Sequence, residues 1–408
     1  MMEEWKEYKL GEICKSIADG DHMPPPKTDK GIPFVTISNI VGNRLDFTNT
    51  HFVPQTYYDG LDDKRRPHIG DTIYSVVGTF GKPVYVNEEK PFVFQRHIAI
   101  LRPNESKIVP KFLFYTLLSP QFYRKADVMA IGAVQRTISL ASLRNTTIKI
   151  PPIDIQSKIV PILSSLDDKI ELNRRINENL EAQAQALFKS WFVDFEPFRD
   201  GEFMESGLGM IPKGWRVGSL SEFAEISKSS VNPQKQPQTA FVHYSIPSYD
   251  DGMKPEIQLG EEIKSNKFVI ANKMTLFSKL NPRIKRVWYV DNLPPNSVCS
   301  TEFVPYKAKE EALSSFLHGL INSQGFYDFV MAMVNGATGS HQRFHPEDSL
   351  KYQIAYNEVY VNNYCRFTNP ILNRILTNNI ESRRLATLRD TLLPRLMSGE
   401  IKVGDVTL

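Results

Sequence analysis

Cysteine is scarce in this 408-residue chain, and the three present (Cys14, Cys299, Cys365) are an odd number, far apart and without a CxxC pair. That excludes a disulfide framework and a cysteine-built zinc site and predicts reduced thiols. No stretch approaches the eighteen or so consecutive apolar residues of a membrane span, and the start, Met1-Met2-Glu3-Glu4-Trp5, is acidic rather than apolar. A cytoplasmic protein with no membrane partner is expected. Net charge is small as well: 49 basic residues against 46 acidic ones leave +3, so any basic surface must be local. Signatures of chemistry are missing too. No GxGxxG follows a strand, Asn281-Pro282-Arg283 lacks the second proline and aromatic of a base-methylating motif, and the eight histidines show no HExxH. His341 and His345 lie four apart, but Pro346 follows and argues against a helical metal site. Asp71 with Glu88-Glu89-Lys90 resembles a nuclease pattern only in the way that many chance combinations do. The sequence therefore predicts no catalytic residue, no metal and no cofactor on this chain.

What the chain has is length and repetition. With 41% apolar residues over 408 positions it can fill two or more cores, since single cores stop growing at roughly 250 to 300 residues. Between 153 and 192 a heptad runs through Ile159, Leu166, Asn173, Leu180 and Leu187, with Leu163, Ile170, Ala184 and Trp191 filling the second apolar position. The same spacing returns 205 positions later in Ile371, Ile375, Asn378, Leu385, Leu392 and Leu396. Even the polar interruption matches, Asn173 with Asn378, and a polar residue on such a seam fixes register at some expense of stability. The two segments are expected to pair as long helices.

The flanking regions repeat as well. Residues 112–133 and 316–337 share eight identities in twenty-two at a constant shift of 204, and Trp5, Leu10 and Glu12 are answered by Trp215, Leu220 and Glu222. Residues 1–150 read as strands (GIPFVTISNI, DTIYSVVG, KPVYVN, FVFQRHIAIL, TTIKI) with two helical patterns, PKFLFYTLL and PQFYRKADVMA. Pro151-Pro152 starts the first long helix, and Pro161 predicts a kink or short break within it. The expected organisation is a first globular domain at 1–150, a helical region at 151–196, an exposed irregular linker at 197–212, a second domain at 213–356, a second helical region at 357–400 and a tail at 401–408. The fold class is α+β: two similar mixed α/β domains and two long helices paired as an antiparallel coiled coil, an internal duplication with pseudo-two-fold symmetry.

Three stretches together carry a resemblance: PPIDIQSKIVPILSSLDDKIELNRRINENLEAQAQALFKSWFVDFEPF, GMIPKGW and LRDTLLPRLMSGEI. Over its whole length the chain resembles the specificity subunits of Type I restriction-modification systems. The resemblance implies two target recognition domains reading the halves of a bipartite double-stranded DNA target, with the helices setting the spacer. It also implies assembly with two methyltransferase subunits, and with restriction subunits in the full enzyme, which carry the S-adenosylmethionine, ATP and magnesium. Two alternatives stay open on the residues alone: a coiled-coil scaffold for protein partners, and the recognition subunit of a split Type II-like methyltransferase.

DNA contact calls for loop Lys and Arg toward phosphates and for Arg, Lys, Asn or Gln toward bases. In the first domain these are Lys27, Lys30, Arg44, Arg65, Arg66, Lys82, Gln135 and Arg136. In the second they are Lys279, Arg283, Lys285, Arg286, His341, Gln342 and Arg343. The Gln-Arg pairs after the glycine turns stand out among them. If SKLNPRIKRVWY is a strand, Arg283 and Lys285 share one face and Arg286 and Trp288 the other. The aromatic run Phe188, Trp191, Phe192, Phe195, Phe198 reads as core packing or as a docking face for a catalytic subunit.

Overall fold

A computed structural model describes residues 5–20, 22, 25–132, 136–334 and 342–406. The chain divides into two units, residues 1–171 with 382–408 and residues 172–381. Each unit therefore holds part of both long helices, Ile153–Phe192 and Glu358–Ser398.

The two units repeat one topology. In the first, Lys6–Lys9 pairs with Thr147–Ile150, and a four-stranded antiparallel sheet runs in the order Cys14–Asp19, Ile98–Pro103, Thr72–Ser75, Pro83–Tyr85. In the second, Arg216–Ser219 pairs with Gln353–Tyr356, and the sheet order is Ala224–Ile226, Phe303–Ala308, Met274–Ser278, Val287–Val290. A smaller sheet accompanies each. Ile32–Val35 lies antiparallel to His51–Val53 and parallel to Val93–Phe94, just as Ala240–Tyr244 lies antiparallel to Glu256–Leu259 and parallel to Ser297–Ser300. The second unit adds two strands, Lys267–Val269 and Ser230–Val231, to this sheet. The central strands, such as Met274–Ser278, are buried along their whole length. Continuous apolar runs suit strands covered on both faces.

Helices Pro110–Leu118 and Pro120–Met129 begin on prolines, whose missing N–H costs nothing in a first turn. Ser119 caps the second of them by accepting from Phe122 N at 3.2 Å. Pro161 does not break the first long helix, which runs uninterrupted from Ile153 to Phe192. Ile159 and Leu163, on either side of it, are both buried, and that packing offsets the one backbone bond that proline removes.

The helices pair antiparallel: partners fall along one as they rise along the other. In the first unit Asp167 meets Arg389 at 2.7 Å. In the second, Asn173 meets Asn378 and Glu381, Asn177 meets Ile375 and Asn379, and the Ala184 carbonyl accepts from Tyr364. Of the seam residues, Ile159, Leu163, Leu166, Asn173, Asn378 and Leu396 are buried, whereas Ile170, Leu180, Leu187, Ile371, Ile375, Leu385 and Leu392 are half-buried. Deepest burial shifts by one residue, to Phe188, Leu372 and Leu393. Phe188 and Leu393 also join the globular cores, so maximal burial lies between the seam and the domain. The polar interruption is wider than the sequence suggests. Asn173 Nδ2 donates to Glu381 Oε2 at 2.7 Å, Asn378 Nδ2 to Asn177 Oδ1 at 2.8 Å, and Asn177 Nδ2 to Asn379 Oδ1 at 2.8 Å.

The segment expected as an irregular linker is ordered. It forms a 3-10 turn, Glu196–Phe198, and a hairpin of Phe203–Ser206 with Gly209–Pro212. Phe195 and Phe198 hold it by packing on Trp215, at 5.3 and 5.0 Å between ring centroids, and Phe198 lies 4.5 Å from Tyr360. The aromatic run is core: Phe188 and Phe192 are buried, and Trp191, Phe195 and Phe198 pack around them. In the tail, Ile401, Val403 and Val406 pack against the first unit's core.

Glu181 ties the first helix to its domain in the second unit, accepting from Asn322 Nδ2 at 2.8 Å and meeting His318 Nε2 at 3.2 Å. Burial raises its pKa, but the His318 and Asn322 hydrogen bonds and the Lys285 charge outweigh it and hold the carboxyl below its ordinary range. A carboxylate so lowered adds stability above that range and gives it up as pH falls through the lowered value. Glu181→Gln should thus be less stable than the parent near neutrality and converge with it in acid. Acid denaturation curves for the two proteins check this, and parallel curves would contradict it.

Candidate nucleic-acid interface

In the antiparallel sheet of the first unit, four strand ends lie together: the end of Cys14–Asp19, the start of Ile98–Pro103, the end of Thr72–Ser75 and the start of Pro83–Tyr85. The loops leaving them collect at one edge. The segment after helix Pro120–Met129 docks onto it, through a Val77–Thr137 bridge and a 2.9 Å bond from Gly78 N to the Arg136 carbonyl. In the second unit the corresponding edge is joined by a Leu280–Arg343 bridge and a 2.9 Å bond from Asn281 N to the Gln342 carbonyl. Loops on rigid strands are where recognition residues vary without disturbing a core.

At the first edge, Lys82 is half-buried and precedes Pro83. The tight hairpin Ile40–Leu45 is fastened beside it by Asn43 Nδ2 donating to the Pro83 carbonyl at 3.1 Å, which brings Arg44 to the same edge. Gly42 and Asn43 both have positive φ (54° and 63°), the pair of values a two-residue hairpin turn requires. At the second edge stand Lys279, half-buried, and Arg283, exposed. Lys82, Arg44, Lys279 and Arg283 form no ion pair among the described residues.

Other candidates are occupied or lie elsewhere. Arg136 pairs with Asp127 at 2.5 Å and lies over the Phe80 ring, and Arg343 pairs with Glu302 at 2.9 Å. These two, prominent in the sequence, are held by neighbouring carboxylates while staying partly exposed. Arg286 is buried and grips Asp250 with two bonds of 2.7 and 2.8 Å. Lys285 donates to the Asn322 carbonyl at 2.6 Å, and burial lowers its ammonium pKa. The expected strand over 278–289 begins only at Val287, because residues 279–286 form the edge loop, with Asn281 at φ 47°. Arg66 donates to the Asp59 carbonyl and covers Tyr58, while Arg65 stands 3.8 Å from Asp19. Lys27 and Lys30 are exposed on the segment that runs from Asp19 back to Ile32, where Thr28 N bonds the Phe52 carbonyl at 3.0 Å. Gln342 is half-buried. Gln135 and His341 lie outside the described residues. Among the described residues no group of acidic, histidine and cysteine side chains could hold a metal ion, and no helix is long and apolar enough to cross a membrane.

Two like-built units with differing edge loops are what readers of two different sequences require, and known proteins similar to this chain point the same way. The Type I restriction modification DNA specificity domain matches residues 2–182. The HindI Type I restriction enzyme specificity subunit of Haemophilus influenzae is 24% identical over 98% of this chain and 100% of its own. The chain is thus similar, over its whole length, to a Type I restriction-modification specificity subunit. It is also 25% identical to the MjaIX specificity subunit of Methanocaldococcus jannaschii, over 73% of this chain and 71% of that one. In fold it is similar to the crystal structure of a Type I specificity subunit from M. genitalium, with a TM-score of 0.56 at 12% identity, covering 97% of this chain and 96% of the other. DNA sequence recognition is the work of such subunits, and relatives of this kind have no catalytic activity themselves.

The polar triplet Gln95-Arg96-His97 also belongs to the first edge, although sequence pattern alone does not single it out. Its signal is three polar residues interrupting FVF and IAIL, which read together as a single strand.

Proposed function

We propose that this specificity subunit reads a bipartite DNA target, one half at the loop edge of each unit, with the paired helices setting the gap between the halves. The repetition of one topology with different loop residues supports this most directly. The chain carries no chemistry in this reading. Two methyltransferase subunits, joined by restriction subunits in the full enzyme, supply adenine methylation and cleavage with their own S-adenosylmethionine, ATP and magnesium, and the assembly works in the cytoplasm.

Phosphate binding falls to the uncommitted cations first, because Arg136 and Arg343 must give up a carboxylate before they can bind. Replacing Arg44, Lys82, Lys279 and Arg283 together by Ala should lower DNA affinity and flatten its salt dependence, by about one unit of log–log slope for each phosphate no longer neutralised. Binding titrations across a salt series test this. An unchanged slope would remove these four residues from the interface.

A further inference from the structure

In the first unit the strand Val93–Phe94 passes into Ile98–Pro103 through Gln95, Arg96 and His97. The backbone of this turn is clamped on several sides. Gln95 N donates to the Val35 carbonyl at 3.1 Å, Ile98 N to the Gln95 carbonyl at 3.0 Å, and Val76 N to the His97 carbonyl at 2.9 Å. Gly20 closes another side, since a Cβ there would stand 1.9 Å from the Phe94 carbonyl oxygen and 2.6 Å from the Gln95 carbonyl. Only glycine lets the two backbones approach so closely.

The side chains on this fixed frame are uncommitted. Arg96 is exposed, Gln95 and His97 are half-buried, and none of the three makes a side-chain hydrogen bond or ion pair among the described residues. Arg65, Arg66, Arg102 and Arg136 of the same unit all have partners. A rigid backbone presenting free donors and acceptors suits base reading, which needs side chains held close to their productive geometry. Burial and the neighbouring Arg96 charge lower the His97 pKa, favouring a neutral ring beside the arginine.

At a constant shift of 205 the second unit carries Ser300-Thr301-Glu302 at this turn. The clamp is the same in kind, with Lys279 N donating to the Glu302 carbonyl at 2.8 Å, but the Glu302 carboxylate is taken up by Arg343. One frame thus carries two chemistries, as two readers of unlike half-targets would.

We propose that Gln95 and Arg96 are specificity-determining residues that read bases in the major groove of the half-target assigned to the first unit, Arg96 taking a guanine and Gln95 an adenine. Both pairings are bidentate and geometrically favoured. The inference rests on the DNA-reading function above.

The test uses the full chain co-expressed with its methyltransferase subunits, with sequencing of methylated sites and DNA titrations over a salt series. Arg96→Ala should relax a G·C position in one half of the target and weaken cognate binding about 5- to 150-fold. Arg96→Lys should keep the salt slope while still relaxing that position, and Gln95→Ala should relax an A·T position. The other half and the gap should not change. Equal weakening on cognate and scrambled DNA would reduce the turn to a phosphate-binding element and overturn the proposal, as would an unaltered profile in all three variants or losses in both halves with lowered thermal stability. Failure of the underlying reading would look different: the parent chain itself would direct no split methylation pattern.

Discussion

Removing one heptad from residues 166–187 together with the heptad facing it in the second long helix is expected to shorten the recognised gap by about 3 bp. Seven residues span about 10 Å at 1.5 Å each, and a base pair rises about 3.4 Å. A whole heptad preserves the seam, so the helices can still pair. DNA also twists by roughly 100° over that interval at 10 to 10.5 bp per turn, so affinity should fall as the preferred gap changes. Removing the heptad from one helix only should do something else. Asn173, Asn177, Asn378 and Glu381 form one hydrogen-bonded set across the seam, and a one-sided shift strands buried amide groups at roughly 1 to 3 kcal/mol each. Sequencing of methylated sites separates the cases. A paired deletion that leaves the gap unaltered would falsify the spacing role of the helices.

Phe192→Ala is expected to cost the second unit about 3–5 kcal/mol, the range for truncating a buried aromatic. Phe192 is 3% exposed and sits between Phe316, Phe188, Tyr364 and Trp215, with ring centroids 5.1, 5.2, 5.6 and 5.8 Å away. It joins the first long helix to the domain core, so its loss loosens both together. Of the four tryptophans, Trp191, Trp215 and Trp288 lie in the second unit, which makes fluorescence-monitored denaturation a suitable readout. A loss under about 1 kcal/mol would show that the stalk is held by the seam alone.

Much of the architecture is written in local pattern. Prolines at 110, 120 and 151–152 mark helix starts, and heptad spacing gives two helices and their partnership. The constant shifts of 204 and 205 give the duplication. What local pattern does not give are tertiary choices. Arg286 and Asp250 are 36 residues apart in sequence, and Arg343 and Glu302 are 41 apart. Nothing in either neighbourhood distinguishes an arginine bound for a carboxylate from one left for DNA. The parallel pairing of Ile32–Val35 with Val93–Phe94 is equally remote, and the turn at Gln95–His97 goes with it. The seam is displaced by one residue for a related reason, since a heptad registers packing between helices and not packing on a domain beside them. Asn177 and Glu381 escape notice because their polar character reads as solvent-facing until a partner helix is placed against them.

The claim on which the rest depends is that one chain carries two separate readers. Methylated sites mapped in cells with and without this chain, and again with the loop residues of the first unit alone replaced, measure it directly. The account predicts a split motif with a fixed gap that appears only with the chain, and in which the loop replacements alter one half and leave the other and the gap untouched. A continuous motif, or loop replacements that change both halves together, would contradict it.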